Sequence, residues 1–494
     1  MPSTHKRKRF KLIKNSLVAA LPRRIHPFVK FGSAIVGVAI LSACSSNPIG
    51  AVTGVFGKSD EEKAAAEEER QREQSERISI LSLEEQLKAD PRFSSVTVEV
   101  PPSYQNSSWP QPGGEADHTL HHISATLEGN RIWRSDIGHA SERGRVTAPP
   151  IVVDDRVFVI DADASVSSFD AETGDLNWRT ELAPEVKERF RVRDIFRGPN
   201  ADEIGFGGGV AFDSGRVFLT SGFGFAAALD AETGEELWRT DIGAPVRTPP
   251  TAFREKVYFT TNTNEFVALE QSTGEKAWTY QSFEENARFL SAASPAAAGD
   301  LVVAPFSSGE IVAFLAETGR AVWSETLARQ ARLTALATLN DIAGSPVIDR
   351  GLIYVVSHGG RLAAIDIRTG DISWEASIAS LQMPWVAGDF IFVVSVDGEV
   401  ACVSRNEGAI LWVAQLPRYK NEKKKKGRIS WAGPVLAGGN LILISSEGQF
   451  AKIEPTTGEI VDIEKVGDGS VVAPVVANEN VFILTEKGKL VALR

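Results

Sequence analysis

The chain has 494 residues, a formal charge of −11 and two cysteines, Cys44 and Cys402. Two thiols so far apart exclude a disulfide framework and cysteine-based zinc sites, and an acidic chain lacks the basic field that nucleic-acid phosphates require. Its length would suit two or three ordinary domains, unless internal repeats claim it.

Residues 1–43 carry nine Lys and Arg and no acid, so the remainder of the chain is more acidic than the whole. The basic run (Lys6 to Lys30) precedes an apolar stretch, 33–41, that is too short to span a bilayer comfortably. Basic region, short apolar region and small residues at the break read as a secretory signal peptide over 1–43. Its end, Leu41-Ser42-Ala43-Cys44, resembles a bacterial lipobox, in which the cysteine is diacylated and becomes the mature N-terminus. Cys44 is therefore the expected lipid attachment site. Serine rather than aspartate at position 45 implies, by the same resemblance, an outer-membrane address. Each acyl CH2 buried supplies about 0.8 kcal/mol, so two or three chains anchor firmly.

Residues 44–112 read as a lipidated tether. Its first part holds the charged, alanine-rich run Asp60-Glu-Glu-Lys-Ala-Ala-Ala-Glu-Glu-Glu-Arg70, which buries little. Ile78, Leu81, Leu83 and Leu87 recur at roughly helical spacing, as in a short docking helix. Pro101, Pro102, Pro110 and Pro112 come next.

From residue 113 onward one pattern repeats. A glycine is followed four residues later by tryptophan at Gly129/Trp133, Gly174/Trp178, Gly234/Trp238, Gly274/Trp278, Gly319/Trp323, Gly370/Trp374 and Gly408/Trp412; the last copy, Gly458, reaches Asp462 instead. Glycine supplies positive φ in such a turn, and an Asp or Thr oxygen can bond its backbone. The tryptophan offers a large apolar area to wedge between neighbouring sheets. Alternating β-branched or aromatic runs flank each turn, as in Lys256-Val-Tyr-Phe-Thr and Glu265-Phe-Val-Ala-Leu. Strands before the turn are expected at 165–170, 226–230, 265–270, 310–315, 361–366, 399–404, 449–454 and 489–493. The first post-turn strand, around Trp133, has no preceding partner, and the last pre-turn strand, 489–493, has no successor. Pairing these two closes a ring and removes the exposed edges of an open array. The fold class is all-β: an eight-bladed β-propeller over 113–494. A strand carrying proline is expected to open seven blades (Pro149/Pro150, Pro249/Pro250, Pro295, Pro346, Pro384, Pro434, Pro474), since proline is tolerated on a free edge.

Chemistry-bearing motifs are sparse. Gly205-Phe-Gly-Gly-Gly209 leads into strands, whereas a dinucleotide fingerprint must open a helix, so it reads as the start of a blade. His118, His121 and His122 are the single histidine cluster, with no carboxylate or cysteine companion fixed by spacing. Asp161 and Asp163 have the start of a calcium loop without its glycine and terminal glutamate. Cys402, inside a strand, reads as a small buried hydrophobe. The lysine-rich stretch 420–428 reads as a solvated loop between blades, or as a contact for acidic lipid or an acidic partner surface.

The repeated Thr-Gly-x-x-x-Trp turn resembles the pyrroloquinoline-quinone enzyme repeat family. Lipobox, charged tether, eight blades and modest length together are similar to the BamB family, lipoprotein subunits of the bacterial β-barrel assembly machinery. The adjacent cysteines that quinoprotein dehydrogenases carry over their cofactor are absent from this sequence. The resemblance implies a non-catalytic scaffold with no cofactor, lipid-anchored at the periplasmic face of the outer membrane. It also implies partners: the POTRA domains of BamA, other assembly-machinery subunits and unfolded outer-membrane protein clients. In that family the contact uses two neighbouring inter-blade loops. Here the first falls at Arg288, Phe289 and Leu290, and the second at Asp341, with Ala343 at its later acidic position. The alternative is a periplasmic quinone-dependent dehydrogenase or a ligand-binding propeller, which shares the fold.

Overall fold

The computed structural model describes residues 86–140, 146–183, 207–283, 293–327 and 341–494. The signal peptide, Cys44 and the charged run of the tether lie outside these residues. Among them, eight four-stranded antiparallel sheets succeed one another around a central channel. Blade 1 comprises Ile151–Val153, Arg156–Ile160, Ser165–Asp170 and Leu176–Glu181. Blades 2 to 7 repeat this order, opening with inner strands at Gly208–Asp213, Thr251–Phe253, Ala296–Ala298, Val347–Asp349, Trp385–Ala387 and Trp431–Ala437. Blade 8 takes Val475–Ala477, Asn480–Leu484 and Lys489–Leu493 from the end of the chain, and its outer strand, Arg131–Asp136, from the beginning. That outer strand pairs antiparallel with Lys489–Leu493, Trp133 opposite Ala492, so the expected closure is present. No helix of the described residues is long and apolar enough to cross a membrane.

The repeat signature forms the joints between blades. Asp170 turns the backbone by accepting from the N–H groups of Glu172 and Thr173 at 2.9 and 2.8 Å, and Asp230 repeats this with Glu232 and Thr233. Those amides, Thr173 foremost, hold the Asp170 carboxyl below the usual carboxylate range. One residue is skipped in the ladder beside each turn, as between Ser168 and Phe169 in blade 1, which re-aims the tryptophan. Each tryptophan then packs on the next blade rather than on its own turn. A Cβ added to Gly234 would lie 2.5 Å from Cε3 of Trp178, so the left-handed turn glycine (φ +74°) also provides the flat seat for the ring. The seven indole N–H groups donate to the following blade: Trp133 to Ala171, Trp178 to Ala231, Trp238 to Gln271, Trp278 to Ala316, Trp323 to Ile367, Trp374 to Arg405 and Trp412 to Pro455, all at 2.7–3.1 Å.

The joint between blades 7 and 8, where Asp462 replaces tryptophan, is polar. Glu464 covers the turn glycine Gly129, and Lys452 pairs with Glu464 at 3.1 Å. The Lys452 ammonium also donates to the Leu127 carbonyl at 2.8 Å, one residue nearer the turn glycine than the carbonyl an indole reaches elsewhere. Between the blades lie apolar layers, such as Ile151, Phe158 and Val166 of blade 1 against Val210, Val217 and Leu229 of blade 2.

Two expectations are corrected. Pro150, Pro250, Pro295, Pro346, Pro384 and Pro474 each stand immediately before the inner strand, and Pro434 alone lies within one. Lacking an N–H, proline fits where the chain enters the sheet, before ladder bonds begin. Residues 86–112 are not a free tether: the compact unit runs Glu84–Arg494, and Val98 and Trp109 are buried. Residues 104–126 form a belt around the channel that bonds every blade.

The belt meets the blades in order. Asn106 O accepts from Asn478 N of blade 8 at 2.8 Å. Trp109 exchanges both backbone bonds with Val152 of blade 1 (2.6 and 2.9 Å), and Pro110 O accepts from Phe212 N of blade 2 at 2.8 Å. The Gln111 amide plays a backbone's part on blade 3, accepting from Ala252 N and donating to Ala252 O, both at 3.1 Å. Ala116 O and Asp117 O accept from Ala297 and Ile348 of blades 4 and 5. His121 O accepts from the Trp385 indole of blade 6 at 2.6 Å. Ile123 bonds Leu436 and Gly438 of blade 7, and Thr126 returns to Glu479 of blade 8. The turn is complete, because Tyr104 pairs in parallel with Ile123. Replacing Trp109 with alanine is expected to lower stability by about 3–5 kcal/mol, the range for large aromatic truncations in a core, as checked by denaturant unfolding.

Candidate partner-binding face

In every blade the connection from an outer strand to the next inner strand leaves one face of the ring, the connection face; the inner hairpin turns and the belt occupy the other. The sequence-predicted contact residues belong to the connections between blades 3 and 4 and between blades 4 and 5. Arg288, Phe289 and Leu290 lie outside the described residues. Their flanks are described: Phe283, 79 % exposed, comes after the outer strand Lys276–Gln281, and Ser294 precedes the inner strand Ala296–Ala298. Ser294 N donates to Ser345 Oγ at 2.9 Å, which ties the two connections together.

Asp341 is described and is only 5 % exposed, with Ile342 and Ala343 buried beside it. Its carbonyl accepts from His358 N at 3.1 Å. The connection is thus pinned against blade 5 at this residue.

Trp109 and Trp385 stand together in the channel. A cavity of about 110 Å3 remains, lined by Pro149, Pro249, Ser345, Gln382 and Pro434 and floored by Trp109 and Trp385. Those two rings stack at 6.1 Å and 24°. Gly209 marks the same crowding: a Cβ there would lie 2.5 Å from Pro249 and 2.9 Å from Ala148. The glycine run therefore does begin a blade. On the belt face a wider hollow of about 650 Å3 lies among Glu115, Asp117, Phe212, Arg254 and Ala298.

The other candidate residues serve the backbone. Asp161 accepts from the N–H groups of Asp163, Ser165 and His139 at 2.8–3.0 Å, a turn-forming role. His122 spans the belt and blade 7, with Nδ1 bonded to Pro101 O and Nε2 accepting from Gly439 N. His118 is buried, its Nδ1 donating to Pro346 O at 2.7 Å and its Nε2 unpartnered. No group of three or more His, Cys, Asp or Glu side chains arranged to hold a metal occurs among the described residues. Cys402 is buried between Phe392 and Trp412 on its flanking strands, and burial pushes its thiol pKa up, away from nucleophilic character. The belt is the structural element that the sequence pattern does not reveal; a tryptophan set among prolines at 109–112 is its visible signal.

Burial holds the His118 imidazole down at about 4, against about 6.5 in an unfolded chain. The fold thus favours the neutral ring, and the unfolded state binds more protons as pH falls through this window. Stability should be full above pH 6.5 and decline toward pH 4 by up to about 3 kcal/mol from this residue. A His118→Asn variant, whose amide can still donate to Pro346, should show a shallower decline in thermal melts over that range; an unchanged slope would assign the loss elsewhere.

The matches to known proteins cover this same propeller. A family model described as outer membrane protein assembly factor BamB matches residues 116–196 and 191–414. The chain is similar to the outer membrane protein assembly factor BamB of Yersinia pestis, 24 % identical over 373 residues, covering 73 % of this chain and 88 % of the relative. It is likewise similar to that of Burkholderia pseudomallei, 27 % identical over 378 residues, covering 76 % and 90 %. Among solved structures, BamB from Moraxella catarrhalis superposes with a TM-score of 0.59 at 19 % identity, over 74 % of this chain and 98 % of that one. A europium-containing methanol dehydrogenase superposes with a TM-score of 0.61 at 15 % identity, over 77 % and 90 %. At such identities the two superpositions speak for the propeller fold alone.

Proposed function

The chain belongs to the BamB family, and from that premise we propose that it is a non-catalytic scaffold of outer-membrane β-barrel assembly. In this reading it hangs by lipid on Cys44 from the periplasmic face of the outer membrane. It holds POTRA domains of the barrel-inserting subunit BamA and, with other subunits of the machinery, assists folding and insertion of client barrels.

The observation that carries the reading is the pairing of two connections on one face. The family match includes both, and the Ser294–Ser345 bond joins their described ends. Arg288, Phe289 and Leu290 supply the contact, an aromatic, an aliphatic and a guanidinium being the residue types that dominate interface energetics. Asp341, buried, positions the second loop rather than reaching across. Dehydrogenase chemistry is disfavoured by the lack of the adjacent cysteines that quinoprotein dehydrogenases carry over their cofactor, since the two cysteines here are Cys44 and Cys402.

The test is co-purification from solubilised outer membrane. Phe289→Ala and Leu290→Ala should each weaken capture of the large barrel subunit at least tenfold, about 1.4 kcal/mol, with the melting temperature unchanged. Asp341→Ala should weaken both capture and stability, consistent with its buried place. Undiminished capture by the Phe289 and Leu290 variants would contradict the assignment, and visible absorbance from a bound quinone would favour the dehydrogenase reading.

A further inference from the structure

The lysine-rich stretch after blade 6 is a built hairpin. Tyr419–Asn421 pairs antiparallel with Lys426–Arg428 across a single 3-10 turn, Glu422–Lys424, closed by Lys425 in the left-handed region at φ 47°. Its base is fixed on several sides. Arg418 and Arg428 both pair with Asp397 of blade 6, and Lys420 pairs with Glu447 of blade 7 at 2.7 Å. Buried Ile429 donates its N–H to Arg418 O at 2.8 Å, and the Trp431 indole donates to Pro417 O at 3.0 Å. Glu422, itself exposed, is engaged by the backbone, accepting from the N–H groups of Arg418 and Tyr419 at 2.9 and 3.0 Å.

The charges of the base are therefore matched, whereas those of the tip are not. Lys423, Lys424, Lys425 and Lys426 are all exposed, and no ion pair to an acid forms from any of them among the described residues. Four adjacent ammonium groups stand out from a chain whose charge is −11 overall. They do so on the connection face.

We propose that this tip is a contact for anionic phospholipid headgroups. Its composition decides between a lipid surface and an acidic protein. Protein interfaces are enriched in arginine and aromatics and depleted in lysine, because their centres must be desolvated. A lysine ammonium is a compact, strongly hydrated charge on a flexible stem, and the four tip residues include no arginine or aromatic side chain. Such a cluster suits a mobile anionic surface approached without drying, where attraction is worth on the order of fivefold in affinity per lysine. The acidic remainder of the protein is repelled by the same surface, so the hairpin is the point of approach and sets how the ring faces the bilayer. The contact complements the lipid anchor proposed above, but its test does not depend on that anchor or on the barrel subunit.

The experiment uses the chain without residues 1–44, which keeps the whole compact unit and removes the basic leader. Co-sedimentation is measured with phosphatidylcholine vesicles, with and without phosphatidylglycerol. The protein should bind the anionic vesicles alone and release them at high salt. Replacing Lys423, Lys424, Lys425 and Lys426 together with glutamine should reduce binding at least tenfold, while the melting temperature holds. The matching arginine variant, which keeps the charge, should bind. Absent binding to the anionic vesicles, or equal binding by the glutamine variant, would overturn the proposal. So would a glutamine variant that loses barrel-subunit capture while vesicle binding persists, because the tip would then be a protein contact. Loss of capture in the Phe289 variant with vesicle binding intact would leave the two surfaces separate, as expected.

Discussion

Eight inner strands, each paired on one side only, would leave a ring of unsatisfied N–H and C=O groups facing the channel. Buried backbone groups without partners are costly, and a bare strand edge is a template for unwanted pairing. Here residues 104–126 answer that demand, passing once around the ring and meeting Val152, Phe212, Ala252, Ala297, Ile348, Gly438 and Asn478 with hydrogen-bond acceptors. At blade 6 the bond is to the Trp385 side chain instead. The same path has a second consequence. The belt carries Trp109 into the channel against Trp385, where the two rings stack.

The outer part of the ring obeys a different rule. Each tryptophan joins one blade to the next by an indole bond and a ring seated on a glycine, so stability passes around the circle by nearest-neighbour joints. The one joint without tryptophan lies where the two ends of the chain meet. There Lys452 and Glu464 replace the indole, and the strand pair Arg131–Asp136 with Lys489–Leu493 supplies the closure directly.

Much of this architecture is legible in the residues. Gly174, Trp178 and their equivalents set the number of blades, and the unpaired strand at Trp133 identifies the partner of Lys489–Leu493. What the spacing cannot tell is that Gly174 serves the ring of Trp133 rather than that of Trp178, because a periodic signal does not distinguish a turn from the neighbour it touches. The belt is illegible for a plainer reason. Most of its bonds run through backbone groups, such as the carbonyls of Asn106, Ala116, Asp117 and Ile123, and these leave side-chain identity free. A minority run through side chains: the Gln111 amide imitates a peptide, and Asn106, His118 and Thr119 donate to the carbonyls of Val476, Pro346 and Ile348. Most of the prolines stand just ahead of the inner strands rather than in them, since a strand and the step into it share the same edge. Of the candidate site, Asp341 can be located in a connection from sequence but not seen to be buried, because burial there comes from blade 5, assembled from later parts of the chain.

Amide hydrogen exchange tests the central claim most directly. If the belt closes the inner edges, the N–H groups of Val152, Phe212, Ala252, Ala297, Ile348, Gly438 and Asn478 should exchange as slowly as those of the central strands, and in step with one another. Exchange at these positions as fast as in exposed loops, with the central strands still protected, would mean the inner edges stand open and the belt does not hold the ring.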